Sequence, residues 1–168
     1  TDKNITFTID EMLKRSRLLM RHELLNSGCF LKTVYDQTQS IFLRGDINTL
    51  IQVVNNLLSN AIYAQHQHAG GGEIEVHFYL DQENLNIAVK DRGAGISPQV
   101  KEKLFKAMVT NKGTQGTGLG LYISNVVIKS KFNGTMWTAD REGGGSIFGI
   151  SIPREYVYIR QAVETMEE

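Results

Sequence analysis

Between Thr110 and Leu121 the chain places Gly113, Gly116, Gly118 and Gly120, then runs straight into Tyr122–Lys129, a segment patterned as helix. Leu119, Ile123, Val126 and Val127 fall at the spacing of one helical face. A flexible glycine loop therefore opens directly onto a helix N-terminus. Glycine lets backbone come close to a ligand. The first helical N–H groups lack internal partners and sit at the positive end of the helix dipole. This is an anion site suited to phosphate, with Lys112 and Thr117 adding a cation and a hydroxyl.

The loop is not a Walker A loop, because no Gly-Lys-Ser/Thr follows at the required spacing. It is also a poor dinucleotide fingerprint. Gly116 and Gly118 fit, but Leu121 stands at the third glycine position and no clear strand leads in, although Asp140 falls about where an acid is wanted.

The 168 residues suffice for one domain with its own core. Formal net charge is zero, so neither nucleic acid nor an anionic membrane is expected as partner. Cys29 is the single cysteine, which excludes an internal disulfide and fits a reducing, cytoplasmic setting. No apolar run approaches membrane-spanning length, and no signal-peptide pattern is expected.

Taken in order, residues 1–8 read as an extended entry, and Asp10 as the cap of a helix running to about Asn26. Its apolar face would carry Met12, Leu13, Leu19, Met20 and Leu24, and Gly28 would end it. Leu31–Tyr35 and Ile41–Leu43 read as short strands around a polar turn. Asp46 caps a second helix whose buried face is Leu50, Val53, Val54, Leu57, Leu58, Ala61 and Ile62. Gly70–Gly72 read as a loop. Glu73–Leu80 and Leu85–Asp91 alternate as a hairpin, and Ser97-Pro98 starts a short helix. Thr135–Ala139 and Ser146–Ile152 form a last hairpin. Residues 1–153 make one domain, with 154–168 a charged tail or linker. Hairpins without strand–helix–strand repeats predict an α+β two-layer sandwich, a mixed, mostly antiparallel sheet with helices on one face.

Three polar features interrupt this apolar plan. Asn56 and Asn60 share a helix face, where buried amides need partners. Hydrated Mg²⁺ with phosphate oxygens would supply one, and bonds to backbone or to each other would serve as well. Asp91 ends a strand beside Gly93 and Gly95, placed to accept from an exocyclic amine while the glycines admit a flat base; a plain turn uses the same residues.

The order of these features resembles the catalytic and ATP-binding domain of bacterial two-component sensor histidine kinases, in the GHKL superfamily with the Bergerat fold. Gln52–Ala61 matches the N box, Asp91–Ile96 the G1 box, Leu104-Phe105 the F box and Gly116–Leu121 the G2 box. Gly145–Pro153 looks like the family's last strand. The resemblance implies that Asn60, with Asn56, holds Mg²⁺ between the phosphates. It implies that Asp91 accepts from the adenine amino group, with Gly93, Gly95, Ile96 and Leu104 around the base. Gly116, Thr117, Gly118, Leu119, Gly120 and Leu121 would cradle the phosphates. Lys112, in Thr110-Asn-Lys112, is similar to a lysine that reaches the γ-phosphate. Tyr63 stands where many relatives carry a basic residue.

The resemblance further implies Mg–ATP-dependent transfer of the γ-phosphoryl group to a histidine on a dimerisation domain elsewhere in the parent chain, with a response regulator as indirect partner. His22-Glu23 imitates the acceptor motif without its proline, so His22 is expected on a helix surface. Asn56 stands where gyrase-like ATPases carry a glutamate base, and it cannot take a proton. A GHKL ATPase that couples binding to conformational change, or a non-catalytic nucleotide sensor, are the alternatives.

Overall fold

The computed structural model describes residues 5–36, 39–105 and 117–161. The first helix, α1 (Ile9–Ser27), follows a short strand, β1 (Thr6–Thr8). Its cap is Thr8, whose hydroxyl accepts from Glu11 N–H at 3.0 Å, and not Asp10. The Asp10 carboxylate instead accepts from the Tyr35 hydroxyl at 2.7 Å. Gly28 closes the helix in the left-handed conformation, φ 70°. Met12, Leu13 and Met20 are buried, but Leu19 is 66% exposed, which removes it from the expected face. His22 is exposed on this helix, as expected.

β2 (Cys29–Val34) and β3 (Gln39–Arg44) follow, then α2 (Ile47–Ala69), capped by Asp46 and closed by Gly70. All seven residues expected on the apolar face of α2 are buried. β4 (Gly72–Leu80) and β5 (Asn84–Lys90) form the expected hairpin. A short helix, α3 (Pro98–Lys103), precedes α4 (Thr117–Phe132), and β6 (Thr135–Asp140) and β7 (Ser146–Pro153) close the main sheet.

That sheet has the order β2-β4-β5-β7-β6 and is antiparallel except for the β2–β4 pair. Its inner face presents Ile74, Val76, Phe78, Ile87, Val89, Phe148, Ile150 and Ile152 to the helices, all buried. The helices and the sheet thus make the two layers. On the outer face Trp137 lies flat against Gly149, where a β-carbon would stand 2.1 Å from the indole ring.

β2 and β3 are not partners around a turn. β2 runs parallel to β4, because both strands leave helices closed by glycine, and the first residue of β4 meets the cap of α1: Gly72 N–H donates to Gly28 C=O at 2.9 Å. β3 joins β1 in a second sheet of order β1-β3-β8. The third member, β8 (Val157–Gln161), is the segment expected as tail. It pairs with β3 from Leu43↔Val157 to Gln39↔Gln161, so the fold continues past residue 153. Val157 is buried, and that apolar anchor outweighs the charged composition around it.

α4 buries only part of the expected face: Val127 packs against the core, and the Leu119 side chain lies outside the described residues. Ile123 and Val126 are each 48% exposed, whereas Leu121, Ser124, Asn125, Ile128 and Phe132 are buried. Two of those five are polar, and each is held by a hydrogen bond to another element. No described helix is long and apolar enough to cross a membrane.

Candidate active site

The site is built along α2. Asn56 and Asn60 lie one turn apart and are both half-buried. The Asn56 amide nitrogen donates to the buried Ser124 hydroxyl on α4 at 2.9 Å, leaving the Asn56 side-chain oxygen without a partner among the described residues. Asn60 makes no side-chain hydrogen bond to any described residue. Both border a groove with Ser59, Tyr63, Gln67 and Gly120. Gly120, with Gly118, Leu119 and Leu121, lies in the opening turns of α4 after Thr117. A β-carbon on Gly120 would have the Asn56 amide as its nearest neighbour, at 3.8 Å. The groove therefore brings two side-chain amides beside the first N–H groups of a helix, which suits an anion with a bound cation. Lys112 and Gly116 lie outside the described residues.

One turn further along α2 the wall changes character. Asp91 follows the last residue of β5 and is 2% exposed. Its backbone continues the ladder, N–H to Ser146 C=O at 3.0 Å. Its Oδ1 accepts from Gly93 N–H at 2.8 Å and from Ser146 N–H at 3.3 Å. Oδ2 accepts from no described residue. Burial holds the carboxyl above its ordinary value of 3.8, against the two N–H groups and the nearby Arg141 guanidinium, which pull it down.

Gly93 is fixed by packing. A β-carbon there would stand 2.8 Å from the Ala64 methyl and 2.9 Å from Asp91 Oδ1. Gly95 takes φ 83°, and Gly145 packs its backbone against that of Asp91. Ile96 is half-buried against the core, and Leu104 is buried. Phe105, with φ 69°, has its carbonyl held by the Asn125 amide at 3.2 Å. Asp140, weighed above as the acid of a dinucleotide fingerprint, pairs with Lys101 at 2.5 Å.

Among the residues singled out from sequence, Asn56, Asn60 and Gly120 meet at one groove. Asp91, Gly93, Gly95 and Ile96 meet at the turn packed on the next part of the same helix. Sequence reasoning missed Gln65, Ser124, Asn125 and Ser146. Gln65 had a signal: it continues the apolar face of Leu58, Ala61 and Ile62 at helical spacing, yet is polar and 3% exposed. Ser124 and Asn125 had none, because each answers a partner far away in sequence.

Residues 45–156 match the family model of histidine kinase-, DNA gyrase B- and HSP90-like ATPases. Sporulation kinase A of Bacillus subtilis is 33% identical over 140 residues, covering 83% of this chain. Sensor protein kinase WalK of Staphylococcus epidermidis is 32% identical over 162 residues, covering 89% of this chain. The chain spans only 22% of the first relative and 25% of the second. Among solved structures, the nucleotide-free catalytic domain of histidine kinase ThkA superposes with a TM-score of 0.74 at 27% identity. That match covers 89% of this chain and 94% of the solved one. The helices-on-sheet fold is the same, and the family match runs from the turn before α2 to the residue before β8. This chain belongs to the histidine kinase-, DNA gyrase B- and HSP90-like ATPase family.

Proposed function

We propose that the chain is the catalytic domain of a two-component sensor histidine kinase. It binds Mg–ATP and passes the γ-phosphoryl group to a histidine on a dimerisation domain outside this chain. The observation that carries the reading is α2 itself. One helix presents Asn56 and Asn60 to a groove at the N-terminus of α4, and four residues on it supports the turn that buries Asp91.

Asp91 Oδ2, which accepts from no described residue, is the acceptor for the adenine amino group, and Gly93, Gly95, Ile96 and Leu104 shape the space for the ring. The α4 backbone N–H groups at Gly118–Leu121 donate to phosphate oxygens together with Thr117, and the motif assigns Gly116 and Lys112, outside the described residues, to the same phosphates. Asn60 and Asn56 fit Mg²⁺ through their side-chain oxygens: both are oxygen donors with no competing hydrogen bond among the described residues. When bound, the ion neutralises phosphate charge and polarises the γ-phosphorus.

The acceptor imidazole nitrogen supplies the lone pair for the new N–P bond, and the β,γ-bridging P–O bond breaks with its electron pair leaving on ADP. The imidazole is itself the nucleophile, so the domain contributes alignment and charge neutralisation with no general base. Asn56, already donating to Ser124, has no basic nitrogen to offer a water.

The test is calorimetric titration with ADP and a non-hydrolysable ATP analogue, with and without Mg²⁺, in wild type and Asn60→Ala. Mg²⁺-dependent binding that weakens in the variant is the expected result. Mg²⁺-independent binding, unchanged in the variant, would refute the amide role.

A further inference from the structure

Gln65 is buried at the end of α2 and holds three backbone groups at once. Its Nε2 donates to Gly71 C=O at 3.2 Å and to Glu73 C=O at 2.9 Å. Its Oε1 accepts from Arg92 N–H at 2.7 Å. Space around it is tight: a β-carbon on Gly72 would stand 3.1 Å from Nε2. The first two bonds tie the helix end to the start of β4 and would suffice for a structural latch. The third does something else. It fixes the peptide that joins Asp91 to Arg92.

That peptide sits inside a turn pinned at each successive residue. Asp91 N–H is held by Ser146 C=O, Arg92 N–H by Gln65, and Gly93 N–H by Asp91 Oδ1. The outer two pins both come from β7 or from Asp91 itself. Among the described residues the Gln65 pin is the one hydrogen bond that refers the turn to α2, the helix that carries Asn56 and Asn60; Gly93 otherwise meets that helix by packing on Ala64. The Arg92 side chain ties the same turn to the β6–β7 connection, donating to Glu142 C=O at 2.7 Å and Gly144 C=O at 3.1 Å. That contact reaches no helix.

We infer that Gln65 is a positioning residue for base selection: through Arg92 N–H it holds Asp91 at the angle that meets an exocyclic amine. The inference rests on the reading of Asp91 as the adenine contact. Its consequence is selective. Adenine offers an amino group at the position where guanine offers a carbonyl oxygen, so Asp91 in register favours ADP over GDP. Phosphate contacts are common to both nucleotides and do not depend on Gln65.

The experiment is titration of this chain with ADP and with GDP in wild type, Asp91→Asn, Gln65→Met and Gln65→Glu, at a temperature where circular dichroism shows each variant folded. Gln65→Met removes the acceptor, and ADP affinity is expected to fall about tenfold, the scale of one buried hydrogen bond, with GDP affinity unchanged. Gln65→Glu keeps an acceptor for Arg92 N–H but sets oxygen against the two carbonyls. It should melt earlier than wild type and still prefer ADP by the wild-type ratio. Wild-type preference in folded Gln65→Met, or lost preference in folded Gln65→Glu, overturns the inference while Asp91→Asn remains impaired. A wild type with no preference, or Asp91→Asn with an intact one, overturns the Asp91 reading and this inference with it.

Discussion

Asn56 on α2 and Ser124 on α4 are joined by a 2.9 Å hydrogen bond across 68 positions of sequence. Ser124 is 1% exposed and Asn56 half-buried, so the bond is shielded from water on its Ser124 side. It fixes which way the Asn56 amide faces, and with it the oxygen left toward the groove. Ser124→Ala should cost about 1–2 kcal/mol of stability, the scale of a buried donor left without its acceptor. Urea unfolding measures it. A change below a few tenths of a kcal/mol would mean that the bond does not anchor Asn56.

Asp91 sets function against stability. Its carboxyl is raised by burial, so the folded state binds the proton more tightly than the unfolded chain does. The sign follows: its contribution is fully favourable below its ordinary value of 3.8 and is lost as pH rises through the higher folded value. At pH 7 the ionised group is a burden on the ligand-free domain. Asp91→Asn keeps an oxygen for Gly93 and Ser146 N–H while removing that charge. The variant should melt no lower than wild type at pH 7, yet bind ADP more weakly by about 1–3 kcal/mol. Thermal scans and titration on one preparation test both halves, and a variant that melts several degrees lower contradicts the burial argument.

Gly93→Ala places a methyl 2.8 Å from the Ala64 β-carbon, well inside contact distance. Overpacking of this kind costs about 1–3 kcal/mol. Ala64→Gly removes the opposing methyl, so the double variant should recover part of the loss. A double-mutant cycle by chemical denaturation gives the coupling. Strict additivity would place the clash elsewhere.

What could be read from sequence divides by the range of the interaction that decides it. The apolar face of α2, the two hairpins and the closure of α1 by Gly28 are decided within a few residues, and all were legible. The exit of β2 toward β4 was not, because it depends on Gly28 and Gly72 meeting across two helix ends. Asn56 and Asp91 were legible as polar residues in apolar surroundings. Their supports were not: Ser124 and Ser146 lie 68 and 55 positions away.

β8 shows the same limit, and truncation tests it. Composition marks residues after Pro153 as a solvated tail, whose removal would leave stability unchanged. The pairing with β3 says otherwise. A chain stopped after Tyr156 loses the burial of Val157, worth about 1.5–3 kcal/mol, and uncovers one side of β3. Guanidinium unfolding of the truncated chain should show at least that loss, and an unchanged midpoint would return the segment to a tail.

α4 supplies the sharpest contrast between pattern and packing. Its sequence is apolar on several faces, so spacing alone cannot say which one turns inward. Two polar side chains decide it. Ser124 turns inward to accept from Asn56, and Asn125 to hold the Phe105 carbonyl. Ile128 and Phe132 are carried in with them, both fully buried. Ile123 and Val126 are carried out to 48% exposure. Ile128→Ala should therefore cost about 2–5 kcal/mol, as truncation of a buried isoleucine does. Ile123→Gln and Val126→Gln should each stay within about 0.5 kcal/mol of wild type, as exposed substitutions do. Equilibrium unfolding of the three variants reads the face directly. The opposite ranking, with Ile128→Ala mild and Ile123→Gln severe, would turn the Ile123 face inward and detach Ser124 from Asn56.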